Sequence, residues 1–167
     1  MRISDGYFRR LLHHTPATEA LEGLASCWGP RVRSDHPRLA LSESEHDVHV
    51  VLLYLADVGA GGHPQFFHGQ PPGMTVRLAS ALRSLRLRDL SRAFAEACCL
   101  LPGDVVGSTP AELDRAMAAR VGQGAEGIAA IDERVWRAAG VEATLLQRLR
   151  GHEDDLLRPE RGLPPAP

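Results

Sequence analysis

Histidine is the residue type that most suggests a metal site in this 167-residue sequence, which contains eight histidines. His46 and His49 lie three residues apart, and Glu43 precedes His46 with the Glu-x-x-His spacing that carboxylate-bridged metal sites place on helices. His63 and His68 follow in a glycine-rich segment and could complete a ligand set. Bundles of that kind need a second Glu-x-x-His pair, and the sequence has none. We therefore predict no bound metal, and a metal-binding helical bundle that uses His46 and His49 stays an alternative.

Residues 53–73, LYLADVGAGGHPQFFHGQPPG, are the second place where the residue types could support chemistry. Asp57 and the glycines at 59, 61 and 62 resemble the first motif of S-adenosylmethionine-dependent methyltransferases, where glycines let the backbone approach the cofactor. His63 and Pro64 stand where that motif has a third glycine and the start of a helix. We predict no cofactor, and a methyltransferase-like loop from Asp57 to Gly61 is the enzymatic alternative.

Nucleophilic catalysis has little support in the sequence. A Gly-x-Ser-x-Gly elbow is absent, and none of the cysteines, Cys27, Cys98 and Cys99, lies in a setting that indicates an activated thiol. The acidic pairs are adjacent in the chain, so their side chains diverge on a helix and form no obvious acid–base couple: Asp132 with Glu133, and Asp154 with Asp155. We expect a protein without enzymatic activity.

Helical periodicity dominates the chain and predicts the elements that position these residues. Ser42 is expected to cap a helix with Glu45 at the capping-box spacing, and the apolar run from Val48 predicts a buried helix, with a buried strand as the competing interpretation. A first helix is expected over residues 7–14 and a second from about residue 16 to the residue before Gly29-Pro30. Because alternating strand patterns are almost absent, we predict an all-α, single-domain bundle of about seven or eight helices.

Later apolar stripes predict the remaining helices, over residues 74–85, 90–101, 109–121, 128–139 and 145–156. Residues 1–40 are predicted to form N-terminal helices that pack on a main domain at residues 41–157. The proline-rich tail at 158–167 is expected to be disordered.

Charge is balanced overall, with 21 acidic and 19 basic residues, all of them arginine, and a formal net charge of -2. This balance gives no general attraction to nucleic acid or to an anionic membrane. No apolar run reaches membrane-spanning length, the N-terminus lacks the apolar stretch of a signal peptide, and three cysteines make a poor disulfide framework, so we expect a cytosolic protein. Two local charge blocks are candidate partner-binding surfaces: the acidic Glu43, Glu45 and Asp47, and the basic Arg77, Arg83, Arg86, Arg88 and Arg92.

The glycines at 61 and 62 also make sense as a structural corner at the end of a helix. Gly61 and Gly62 can adopt a positive φ there, which a side chain would oppose by about 1 kcal/mol. Phe66 and Phe67 are expected to pack the corner against the core, and Gln65 can hydrogen-bond backbone amides that the helix leaves unpaired.

The stretch LLYLADVGAGGHPQFFHG resembles the signature of the DNA-mimic-protein-like domain family. In that helical family, mostly of unknown function, a long helix runs into an Asn-Gly-Gly-Phe-x-Gln-Phe-Phe-x-Asn corner, matched here at Gly61, Gly62, Gln65, Phe66 and Phe67. The stretches LASALRSLRLRDLSRAFAEACCLLPG and IAAIDERVWRAAG resemble the helices that follow in the family.

The resemblance implies a helical fold and a homodimer. For the member that gave the family its name, it also implies carboxylates that take the place of DNA phosphates on a DNA-binding protein. Such mimicry needs a dense acidic face, whereas this chain has a net charge of -2. We therefore expect a non-catalytic cytosolic domain that binds a protein partner of unknown identity, and neither nucleic acid nor a membrane.

Overall fold

The computed structural model describes residues 5–32, 41–71, 73–100 and 124–156. The regular elements in these ranges are helices: α1 Asp5–His14, α2 Ala17–Val32, α3 Glu43–Gly69, α4 Met74–Ser84, α5 Arg88–Leu100, α6 Gly124–Trp136, α7 Val141–Arg150 and α8 Glu153–Leu156. The predicted all-α fold is confirmed for this part of the chain, and none of its helices is long and apolar enough to cross a membrane. The predicted helix at 109–121 and the tail at 158–167 lie outside the described residues.

The Cα positions group into two compact units, one formed by Met1–His49 with Gly140–Pro167 and the other by Val50–Ala139. The domain boundaries expected at residues 40 and 157 stay predictions.

In the first unit, α1, α2 and α7 contact one another around a core of leucines. In α2 and α7 the buried side chains recur at three- and four-residue intervals, so each of these helices turns one apolar face inward. The buried side chains include Leu11, Leu12, Leu21, Leu24, Trp28, Leu145 and Leu149. The guanidinium Nε–H of Arg150 donates to the carbonyl of Leu12 and ties α7 to α1.

The start of α3 is held by the capping box that the sequence predicts. The backbone N–H of Ser42 donates to Glu45 Oε2 at 2.8 Å, and the backbone N–H of Glu45 donates to Ser42 Oγ at 3.2 Å. The other carboxylate oxygen of Glu45 accepts the indole N–H of Trp28 at 3.0 Å. Both oxygens of a buried carboxylate are therefore used inside the protein.

Helix α2 is longer than predicted, because it continues through Gly29 and Pro30 to Val32. Glycine and proline lower helix propensity, but packing regularly overrides propensity. Here the last turn follows Trp28, whose indole is fully buried and hydrogen-bonded to Glu45. That anchor accounts for a helix that local sequence signals would end earlier.

The second unit contains the remainder of α3 with α4, α5 and α6, and α5 lies against both α4 and α6. Its core combines four aromatic rings with aliphatic side chains: Tyr54, Phe66, Phe67, Phe94, Leu78, Leu82, Leu90, Ile128, Ile131 and Val135. Helix α3 is interrupted inside this unit, because Gly61 and Gly62 have non-helical dihedral angles. Gly62 has φ 74° and ψ -175°, a conformation that is essentially confined to glycine. The positive φ expected at the corner is present at Gly62, but the expectation is wrong for Gly61, which has an extended φ of -159° that any residue can adopt.

Candidate functional site

Three polar side chains meet beside the interruption in α3. The Tyr54 hydroxyl lies 2.7 Å from His63 Nε2, and the opposite ring nitrogen of His63, Nδ1, is hydrogen-bonded to Asp132 Oδ1. The backbone N–H of His63 donates to the same Asp132 oxygen at 3.0 Å. We call this set the Tyr54–His63–Asp132 latch. It joins α3 to α6 across 69 residues of sequence.

The conformation of Gly62 brings the backbone of His63 close to Asp132. A Cβ placed on Gly62 would overlap Asp132 Oδ2, and it would lie 3.1 Å from Asp132 Cγ. The absence of a side chain at Gly62 therefore lets the carboxylate approach the chain and accept the His63 N–H. Pro64 follows directly, and its fixed φ suits the first turn of the resumed helix.

Aromatic rings enclose the latch. The Tyr54 ring lies edge to face with Phe66 and Phe94, at centroid distances of 5.2 and 5.6 Å. The His63 ring stacks on Phe67 at 6.3 Å with an interplanar angle of 26°. Phe66 and Phe67 are buried, as the corner prediction required, and Tyr54 and His63 are 0% exposed. Tyr54 and His63 are thus closed to solvent, and the Asp132 side chain is 11% exposed.

The burial of the latch determines its protonation. Burial lowers the pKa of His63, although the hydrogen bond to Asp132 opposes that shift. A neutral ring with its proton on Nδ1 donates to Asp132 and leaves Nε2 to accept the Tyr54 O–H. Burial also raises the pKa of Tyr54, and the nearby Asp132 and Cys98 raise it further, so the phenol stays protonated.

An Asp–His–hydroxyl series is the arrangement that nucleophilic enzymes use to activate a hydroxyl group. Activation also requires that a substrate reach the hydroxyl and that the hydroxyl lose its proton readily. In this latch the Tyr54 hydroxyl is buried, and the pKa of Tyr54 is raised. The arrangement fits a buried polar tie between α3 and α6 rather than a reactive centre.

Gln65, in contrast, does not have the predicted role. Its side chain is exposed, and the corner amide of His63 is satisfied by Asp132 instead. Gln65 lies on the outer face of the resumed helix with its side chain against Gly61, where its Oε1 would be 3.3 Å from an added Cβ, whereas Phe66 and Phe67 lie on the inner face.

The methyltransferase-like alternative lacks its structural basis. Residues 43–60 form a helix, where that motif requires a strand before the glycines, and no strand occurs among the described residues. The carboxylate of Asp57 accepts a hydrogen bond of 2.7 Å from the Gln70 side-chain amide. The glycines therefore end a helical segment and do not form a cofactor loop between a strand and a helix.

The metal alternative is also weakened by the positions of the histidines. Both ring nitrogens of His63 are hydrogen-bonded within the latch, so His63 offers no lone pair to a metal. His49 is buried with its ring edge to face against Trp28 at 5.9 Å, and burial, together with His46, lowers its pKa. Within the described ranges, no group of three or more His, Cys, Asp or Glu residues could hold a metal ion.

The predicted acidic surface needs correction. Glu45 and Asp47 are only 2% and 4% exposed, because both lie on the buried side of the first two turns of α3. The Glu45 carboxylate is also hydrogen-bonded to Trp28 and to Ser42. Of the three predicted acids, Glu43 alone is exposed. The basic block differs, since Arg83, Arg86, Arg88 and Arg92 are exposed and Arg77 is partly buried.

No sequence pattern identifies Asp132 or Tyr54 as a site residue, and His63 is predicted there only as a candidate metal ligand. One signal for Asp132 was present: it lies four residues after Ile128 and three before Val135, on the buried stripe of α6. A carboxylate on a buried stripe needs a partner. Nothing local identifies that partner as His63, which lies 69 residues away in the chain.

The described fold and site define an all-α domain with a closed polar latch beside a glycine corner. The chain belongs to the DMP19-like protein family, whose model matches residues 39–152. This match confirms the suspected family, while the assignment of the residues from Gly61 to Phe67 as its signature stays a prediction. No curated protein and no solved structure matches the chain significantly.

Proposed function

We propose that this member of the DMP19-like protein family is a non-catalytic cytosolic domain that acts by binding another protein. The observation that carries the proposal is the closure of the Tyr54–His63–Asp132 latch. It has the connectivity of a catalytic series, yet its hydrogen-bonding groups are used to join α3 to α6, and Tyr54 and His63 are fully buried.

The cysteines support the same interpretation. Burial raises the pKa of Cys98 to about 11, so its thiol remains protonated and is a poor nucleophile. The Cys27 thiol donates to the carbonyl of Gly23 at 3.1 Å, one turn earlier on α2. Cys27, Cys98 and Cys99 are free thiols, as expected in a reducing compartment.

DNA mimicry is not part of the proposal. A mimic needs many carboxylates on one exposed face, and Glu45 and Asp47 are buried where the sequence had suggested such a face. The formal net charge of -2 adds no dense negative field. The proposed binding surface therefore lies elsewhere on the domain.

The test compares wild-type protein with Tyr54→Phe as immobilised bait, followed by reciprocal capture of any partner found. Tyr54→Phe keeps the ring that packs on Phe66 and Phe94 and removes only the hydroxyl. We expect both baits to form the same stoichiometric complex. Turnover of a substrate by the wild type, lost in a Tyr54→Phe variant that remains folded by circular dichroism, would contradict the proposal.

A further inference from the structure

The turn between α4 and α5 has an unusual residue at its left-handed position. The backbone N–H of Leu87 donates to the carbonyl of Leu82, and that of Arg86 donates to the carbonyl of Arg83, both at 3.0 Å. These two bonds form the Schellman arrangement that ends many helices. Arg86 has φ 57° and is the one non-glycine residue with positive φ in the described part of the chain. Glycine is the residue usually found there.

Leucines and arginines alternate between the two sides of this turn. Leu82, Leu85, Leu87 and Leu90 are buried, and the side chains between them point outward. The exposed arginines of this stretch are Arg83, Arg86, Arg88 and, one turn further along α5, Arg92; we call them the arginine turn, and the exposed Ser84 and Asp89 lie among them. Arg88 and Arg92 are four residues apart on α5 and are therefore neighbours on one helix face.

Two of these arginines occupy positions that favour other residues. Arg86 takes a backbone conformation that disfavours a side chain, and Arg88 places a positive charge at the positive end of the α5 dipole. No ion pair among the described residues engages Arg83, Arg86 or Arg88, whereas Arg9, Arg134 and Arg137 pair with carboxylates. Residues that violate local rules without a compensating contact commonly mark functional sites.

We propose that the arginine turn is the surface through which this domain binds an acidic segment of a partner protein. The proposal rests on the proposed function and names the surface and the charge of the partner. Guanidinium groups bind carboxylates in a bidentate manner, and a cluster of them selects a segment with several carboxylates.

A protein segment fits this surface better than a nucleic acid does. A nucleic acid carries phosphates along its whole length. Beyond the arginine turn it would therefore extend over other parts of a chain whose net charge is -2. Exposed acids on α6, Glu126 and Glu133, also lie in the second unit. A short acidic segment can contact the arginines without extending along those acids.

The experiment measures binding of a fluorescein-labelled oligoglutamate peptide by anisotropy at low and at physiological salt. The test variant is Arg83→Gln with Arg86→Gln and Arg88→Gln, and the control variant changes the same charge through Arg9→Gln, Arg10→Gln and Arg137→Gln. We expect the test variant to lose about tenfold in affinity and the control less than about twofold. Equal losses in the two variants, or no binding of the peptide by the wild type, would overturn the proposal.

The single substitution Arg86→Gly tests whether Arg86 itself contributes to binding of the peptide. Arg86→Gly relieves the left-handed strain, so it should raise the denaturant midpoint while it lowers the affinity for the peptide. A higher midpoint with unchanged affinity would remove Arg86 from the surface and overturn the assignment. Tighter binding of a duplex DNA probe than of the peptide, with the same dependence on the arginines, would replace the acidic protein with nucleic acid.

The two proposals fail in different ways. If the wild type captures a specific partner and the arginine variant captures it equally well, the arginine turn is wrong and the interaction domain stands. If the wild type shows enzymatic turnover that depends on Tyr54, the proposed function fails whatever the arginine variants do.

Discussion

The substitution Gly62→Ala addresses the corner and the latch together. Gly62 has φ 74° and ψ -175°, and the Cβ of an alanine at this position would overlap Asp132 Oδ2. Asp132 cannot simply turn away, because its other oxygen accepts both the ring N–H and the backbone N–H of His63. The variant must therefore strain the backbone, displace the carboxylate, or do both.

The expected magnitude follows from these two effects. A side chain in this region of φ and ψ costs about 1–3 kcal/mol. Displacing Asp132 weakens hydrogen bonds to a charged buried acceptor, each of which contributes about 1.5–3 kcal/mol. We expect Gly62→Ala to lower the free energy of unfolding by about 3–5 kcal/mol, a large share of the roughly 5–15 kcal/mol of a typical domain.

The assay is equilibrium unfolding in urea, monitored by far-ultraviolet circular dichroism, with Gly59→Ala as the control. Gly59 lies in the helical part of α3, and a Cβ there meets no atom within 4 Å. Alanine at that position should be neutral or stabilising by up to about 1 kcal/mol. A loss below about 1 kcal/mol for Gly62→Ala would refute the reasoning about this corner.

A double-mutant cycle separates the backbone strain at residue 62 from the overlap between its Cβ and the Asp132 carboxylate. In an Asp132→Ala background the Cβ at residue 62 no longer meets a carboxylate, so Gly62→Ala should cost only the backbone strain of about 1–3 kcal/mol. Equal costs in the two backgrounds would show that Asp132 does not exclude a side chain at Gly62.

Three further predictions concern neighbouring features. Phe66→Ala should lower the free energy of unfolding by about 3–5 kcal/mol, whereas the adjacent exposed Gln65→Ala should change it by less than about 0.5 kcal/mol in the same urea titration. Ser42→Ala removes the α3 cap and should cost about 1 kcal/mol, measured as a shift in the urea midpoint. Because burial lowers the pKa of His63 below 6.5, its contribution to stability is complete above pH 6.5 and declines as the pH falls below that value. His63→Asn, whose amide nitrogen takes the place of Nδ1 toward Asp132, should therefore show a smaller loss of stability on acidification than the wild type.

Other residues of the protein provide controls for the predictions at Ser42 and His63. Ser26→Ala removes a hydroxyl that donates to the carbonyl of Glu22 inside α2, so it tests whether the Ser42 effect reflects capping. His49 also has a pKa lowered by burial and contributes in the same direction, so the wild-type pH dependence should shrink with His63→Asn without vanishing. An unchanged pH dependence in His63→Asn would show that His63 does not titrate with unfolding.

The features that the sequence predicted are those determined by local physics. Helical spacing of apolar residues predicted the all-α fold, and the reciprocal Ser42–Glu45 cap is present as expected. The inward position of Phe66 and Phe67 followed from two consecutive large rings beside an apolar helix. Each of these inferences depends on residues within about one or two helical turns of one another.

The failures have a common cause in tertiary structure. Glu45 and Asp47 were assigned to a surface because charged residues are usually exposed, but Trp28 supplies the partner that makes burial of Glu45 favourable. His63 and Asp132 are paired across 69 residues, and no local pattern specifies which buried carboxylate meets which buried ring.

The latch makes Gly62, His63 and Asp132 depend on one another. The His63 ring stacks on Phe67 at a centroid distance of 6.3 Å, but it also brings two polar nitrogens into an apolar site. Those nitrogens require Tyr54 on one side and Asp132 on the other, since an unpaired buried polar group costs about 1–3 kcal/mol. Asp132 in turn occupies the space that a Cβ at Gly62 would need, so its carboxylate adds a steric reason for glycine to the conformational one. A histidine at residue 63 is therefore stable only together with a glycine before it and a carboxylate on the buried stripe of α6.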